Sequence, residues 1–411
     1  QAKVAAADNA LAYIVSDVQV ETFALDDVSG GEAVLTTTEQ LAAYADAGVR
    51  DVTEDNLLAV NAQLRLETTA ADKDSVADIH AIVGLAGAAL DYLVDTVQAN
   101  TTAPVSGATG SELLLADQLA AYEAAGVRDV TADNLLAVNA QMRLETATAD
   151  KDSVADVQAI VVLADAALDY IVSTIAPLNS TAVTNAAAQL AAYSAAGITG
   201  VTVDNLLAVN AQIRKQQVAD GNTDNLDTVA DLQAKVTAGN GALSAILTTI
   251  APNTNTVALE AQSQIDAYVD AGVLNVTAEN LLAVNAQIRK QLTADSNATG
   301  NVDSVAELQV KVVSAEAALF YLISDVQGET YALDDVSGGE AVLTTTAQLA
   351  AYADAGVLDV IPDNLLAVNA QLRLETTAAN KDSVADIQAI VGLADDAIAL
   401  IEEYNNGDGA T

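Results

Sequence analysis

The chain has 411 residues, 57 acidic against 15 basic, and its formal charge of −42 repels nucleic acid phosphates and anionic lipid head groups, so neither is an expected partner. It has no cysteine, which excludes disulfides and thiolate chemistry, and no uninterrupted apolar run near the ~18 residues of a membrane-spanning helix, so no such segment is expected. A length beyond the ~250–300 residues at which one core stops growing predicts several modules, and 52% hydrophobic content with 3% aromatic predicts interiors of Ala, Val, Leu and Ile.

Residues 1–19 read as the end of a helix, because the chain from Gln1 onward matches the chain from Gln309 onward. A Gln in first place, with no initiator Met, predicts a processed secreted protein or a fragment of something longer. Residues 20–37 carry two β-tending runs about Ser29-Gly30-Gly31, which predicts a short hairpin, and the same insertion recurs at 327–345.

Next comes the stretch that organises the chain, Tyr44 to Arg65 (YADAGVRDVTEDNLLAVNAQLR). It returns at Tyr122–Arg143, Tyr193–Arg214, Tyr268–Arg289 and Tyr352–Arg373 with Tyr, Gly and Asn at fixed spacing. A fixed stretch with connections of varying length is the mark of a tandem array. Within the first block the pattern predicts a helix from Thr38 to Ala47, closed by Gly48 in a left-handed conformation with Val49 as its apolar contact. A second helix is predicted to open at Thr53, stapled by Val52 and Leu57; in the fifth block Ile361 replaces the Thr and Pro362 takes the first helical position. A third opens at Ser75 with Asp78 as its capping box, and Val76, Ile79, Val83, Ala86, Leu90, Leu93 and Val97 make an apolar stripe.

The prediction is an all-α tandem array of about five three-helix repeats, two shorter helices against one long one. They occupy 38–98, 111–175, 183–250, 257–326 and 346–404, with linkers at 99–110, 176–182 and 251–256 and a polar tail at 405–411. The incomplete first unit and bare last one fit chains that continue the array head to tail; they equally fit a chain that is simply cut there.

No residue set asks for catalysis. His80 aligns with Gln158, Gln233, Gln309 and Gln388, so it reads as a solvated helix residue. Asn61 and its copies read as buried side chains bonded to nearby backbone, and Arg65 and its copies as partners of carboxylates in the same or the adjacent block. The candidate metal ligands are Asp220, Asn222, Asp224, Asp227 and Asp231, whose spacing approximates a calcium loop, although Asn225 replaces the turn Gly and Asp231 the bidentate Glu. Against it, Asp227 and Asp231 also suit a helix N-terminus. Asp26, Asp27 and Glu32, with Asp334, Asp335 and Glu340, form a second acidic cluster, and Asn100 and Asn179 stand in glycosylation triplets.

At GVRDVTEDNLLAVNAQLR, GITGVTVDNLLAVNAQIR and DSVAELQ the chain resembles the Ala-rich helical tandem repeats of large secreted bacterial surface and adhesin-like proteins. The resemblance implies an extracellular, extended, non-enzymatic protein. The expected function is a structural subunit of an extracellular filament or surface layer whose partners are copies of itself; the alternative is a stalk in a secreted adhesin or biofilm-matrix protein.

Overall fold

In the computed structural model the described residues are 2–19, 35–102, 112–147, 150–175, 185–221, 225–251, 258–294, 302–328 and 343–405. They hold sixteen α-helices and no strand. Both predicted hairpins, nearly all of the linkers at 176–182 and 251–256, and the 405–411 tail past Asn405 lie outside the described residues.

After α1 (Ala2–Tyr13), the first block holds α2 (Thr37–Asp46), α3 (Leu57–Leu66) and α4 (Val76–Asp95), and the second α5 (Leu115–Ala124), α6 (Leu135–Leu144) and α7 (Val154–Tyr170). Then follow α8 (Ala186–Ala195), α9 (Leu206–Asp220) and α10 (Val229–Ala245); α11 (Ala258–Asp270), α12 (Leu281–Ala294) and α13 (Val305–Ser324); and α14 (Thr345–Asp354), α15 (Leu365–Leu374) and α16 (Val384–Asn405). The chain divides into two compact units that do not follow block boundaries: the first holds 1–175, 187–200 and 220–233, the second 176–186, 201–219 and 234–411. The third block thus contributes segments to both units.

The helix ends follow from the capping residues. Gly48 has φ +84, and Gly126, Gly197, Gly272 and Gly356 lie between +75 and +79. The Val49 N–H reaches the Tyr44 carbonyl (2.9 Å) and the Gly48 N–H that of Ala45 (3.0 Å), the paired bonds that close a helix with a left-handed residue. Ser75 and Asp78 form the predicted capping box, as do Ser304 and Glu307. The second helix departs from prediction. It starts at Leu57, with Asn56 as the capping residue, and the expected first turn is a separate hydrogen-bonded turn. There the Asn56 side chain accepts from the Thr53 N–H (2.8 Å) and donates to the Asp51 carbonyl (2.9 Å), pulling this turn off the helical path. Pro362 likewise sits in the turn before α15, not in its first helical position.

The long third helix carries the core. Ile79, Val83, Ala86, Leu90 and Leu93 of α4 are buried against α3 as the spacing predicts, with Ile82 added. In the second unit residues of α9 to α16 form a continuous apolar core running from Leu207 to Ala394. Val76–Ala99 and Val154–Ile175 are long and apolar enough to cross a membrane by length and composition. No single apolar run signals this in the sequence, because the charged residues are too sparse to lower the average. Core helices pass the same test, and each of these packs its stripe on a neighbouring helix.

Candidate functional site

Each block meets the next through the same few atoms. In the first unit, the Gly126 turn closing α5 lies on the start of α3: a Cβ there would stand 2.5 Å from the Leu58 carbonyl oxygen. Gly197 stands the same way to Leu136, at 2.6 Å. In the second unit Gly272 meets Leu207 at 2.9 Å and Gly356 meets Leu282 at 2.7 Å. The glycine therefore does two things, supplying the left-handed turn and letting two backbones touch.

A main-chain hydrogen bond accompanies each contact. The first N–H of the long helix donates back to the residue before the fixed Asn of the preceding block: Val154 to Asp55 (3.1 Å) and Val229 to Asp133 (3.3 Å) in the first unit, Val305 to Asp204 (3.4 Å) and Val384 to Glu279 (3.3 Å) in the second. A glutamine adds a third tie: the Gln63 amide donates to the Ala124 carbonyl (2.8 Å), and Gln287 to that of Asp354 (2.6 Å). All of these meet orphan groups at helix ends.

The arginines act at a second seam, where they meet main-chain carbonyls, and Arg65 also feels the Glu123 carboxylate of the adjacent block. Arg65 donates to the Gln19 carbonyl (2.7 Å), Arg289 to that of Ala251 (2.6 Å), Arg373 to that of Gln327 (2.6 Å), and Arg143 to those of Gln98 and Asn100. A cation at these carbonyls meets the negative end of the long helix before it, which a carboxylate would not supply. Burial lowers the proton affinity of Arg65, Arg143 and Arg289 below the ordinary guanidinium value. Lysines form ion pairs between blocks, Lys215 with Asp270 and Lys290 with Asp354. Lys151 is buried, and its ammonium takes the Met142 (3.0 Å) and Glu145 (2.9 Å) carbonyls and Gln98 Oε1 (3.2 Å).

Inside a block the repeated Tyr and Asn form a network with a Gln that sequence reasoning missed. Tyr44 donates to Asn61 Oδ1 (2.6 Å), whose amide donates to Gln40 Oε1 (2.8 Å), and Gln40 donates to the Leu35 carbonyl (2.9 Å). The same chain joins Tyr122, Asn139 and Gln118, and again Tyr352, Asn369 and Gln348. The expected backbone partner is thus mainly side chains. The available signal was a Gln four residues before every Tyr, one helical turn away on the same face. Burial pushes the phenols of Tyr44, Tyr122, Tyr268 and Tyr352 well above their ordinary value, and the nearby arginine opposes it without prevailing.

His80 is exposed but not merely solvated: Nε2 accepts the Arg50 N–H (2.7 Å), at the place where Gln158 both accepts from Arg128 N–H (2.9 Å) and donates to its carbonyl (3.1 Å). Of the predicted metal ligands, Asp220 ends α9 and accepts from Asn225 (2.7 Å), Asp231 takes the Thr228 hydroxyl (2.6 Å) in a helix cap, and Asp227 is exposed. Asn222 and Asp224 lie outside the described residues, as do Asp26, Asp27 and Glu32, their copies Asp334, Asp335 and Glu340, and Asn179. Among the described residues no three His, Asp or Glu side chains are grouped to hold a metal. Asn100 is buried rather than in an exposed connector, accepting from the Leu113 N–H (2.9 Å).

No family model, curated protein or solved structure matches this chain. The geometry of the joint therefore carries the functional reading. Among the described residues, its two halves are each found once without a neighbour. In the first block no described residue lies within 4 Å of where a Gly48 Cβ would stand, and Val76 is half-buried where Val154, Val305 and Val384 are 1% exposed. In the fifth, Leu366 is 40% exposed where Leu58, Leu136 and Leu282 are half-buried and Leu207 is buried, and Ala367 and Ala370 are half-buried where their counterparts, such as Ala59 and Ala62 or Ala137 and Ala140, are buried.

Proposed function

We propose that the protein is a structural subunit of an extracellular bacterial filament or surface layer, built as five three-helix repeats and extending head to tail by joining the open face of its fifth repeat to the open face of the first in another copy. One observation carries this reading: the face around Gly48 and Val76 and the face around Leu366, Ala367 and Ala370 are the two halves of a joint that is closed four times within the chain. A second copy supplies the missing half of each without any new chemistry, by a heterologous contact that propagates. The repeated polar groups support a non-enzymatic role, since Tyr, Asn, Gln and Arg are all engaged in holding helices together. The charge of −42 keeps neighbouring filaments apart until salt or divalent cations screen it. The extracellular bacterial setting rests on the resemblance of the repeats.

Negative-stain microscopy across a concentration series tests this. Particles that lengthen end to end support the filament, and particles of one short length at every concentration contradict it. A second reading, a stalk that holds another domain of a large adhesin away from the cell, is supported by the match between the segments from Gln1 and from Gln309, the kind of duplication that lengthens a spacer.

A further inference from the structure

We propose that one residue pair at each joint sets which repeat can follow which. Its first member follows the repeated arginine of the second helix; its second lies two places before the glycine of the next repeat. At the first two joints these positions hold Leu66 with Ala124 and Leu144 with Ala195. At the last two they hold Lys215 with Asp270 and Lys290 with Asp354, each closed by an ion pair at 2.6 Å. Leu goes with Ala and Lys with Asp throughout. The register is held by the neighbouring glutamine, because Gln63 and Gln287 donate to the carbonyls of Ala124 and Asp354 themselves, the second members of their pairs.

Exchanging the partners removes the match on both sides. Leu against Asp shields a carboxylate and gives it no cation, and Lys against Ala leaves an ammonium with no counter-charge. The two open faces therefore ask for different partners. In the first repeat the second position is Asp46, which is exposed, so this face fits a repeat whose second helix carries Arg-Lys, as the third and fourth do. In the fifth repeat the first position is Leu374, 72% exposed where Leu66 and Leu144 are 46% and 52%, and that face fits a repeat bearing Ala. Joining one copy to the next sets Leu374 against Asp46, a combination found at none of the four internal joints. On the head-to-tail reading, which this inference assumes for its partner, the joint between copies is the weakest in the array and is strengthened by a lysine.

The test compares the full chain with Leu374→Lys by sedimentation equilibrium. The substituted chain should associate about two- to five-fold more tightly, the range expected of one exposed ion pair. That gain should vanish with Asp46→Ala and in high salt. Association of both chains with equal strength would overturn the proposal. An internal arm needs no association: Lys290→Glu should lower the thermal midpoint, and adding Asp354→Lys should restore it. Failure of the swap to restore it overturns the pairing rule. Should neither chain associate at any concentration, the filament reading falls alone, and the charge swap still decides the rule.

Discussion

Gly126 and the Leu58 carbonyl lie so close that a Cβ on the glycine would stand 2.5 Å from the oxygen. Gly48, with the same backbone conformation, meets no described residue in the same direction. The pair separates two costs that usually come together. Gly48→Asn pays only for a left-handed non-glycine residue, at most about 1 kcal/mol, since Asn tolerates that region. Gly126→Asn adds about 1–3 kcal/mol of displaced backbone. Thermal unfolding of the two variants should show the second clearly less stable, and equal losses would mean that the joint tolerates a side chain.

Tyr122→Phe tests the buried network. It removes the donor to Asn139 Oδ1 without changing the shape of the ring, at a site where both residues are buried. Leaving that oxygen without its donor costs about 1–3 kcal/mol. Denaturant unfolding that matches the parent chain would show the network to be incidental.

The buried phenols give the fold an alkaline limit. The folded-state values of Tyr44, Tyr122, Tyr268 and Tyr352 are raised, so their contribution is fully present below the unfolded value of about 10 and is lost as pH climbs above it toward the folded value. The phenolate absorbance of these four should therefore appear together with loss of the far-ultraviolet helix signal. Ionisation with the helices intact would contradict their burial.

His80→Gln should stabilise the first block. Histidine accepts one hydrogen bond from Arg50, whereas glutamine in the second block makes two with Arg128. The gain at this exposed position is about 0.5 kcal/mol, measurable as a small rise in midpoint. A fall would show that the imidazole makes a contact that glutamine cannot.

Much of this architecture was legible because local chemistry repeats. The Gly48 turn, the Ser75–Asp78 box and the stripe along α4 follow from residue type and spacing alone. The start of α3 was misplaced by one turn because Thr53 is a good cap on its own, and only the long reach of Asn56 to Asp51 reveals the intervening turn. For Arg65 a carboxylate partner could be expected because charge is visible in a sequence, whereas the Gln19 carbonyl it also meets is placed by tertiary packing. The joint itself was hidden for the same reason. Nothing about Leu58 announces that a glycine from the next block will touch its backbone.

Sedimentation velocity of the unsubstituted chain beside Gly48→Asn, over a wide concentration range, tests the central claim most directly. The account predicts that the unsubstituted chain sediments as a growing series of end-to-end species while Gly48→Asn remains a monomer with nearly unchanged stability, because an added Cβ meets the partner's backbone only once the joint closes. A single species at all concentrations for the unsubstituted chain, or undiminished association of the variant, would contradict it.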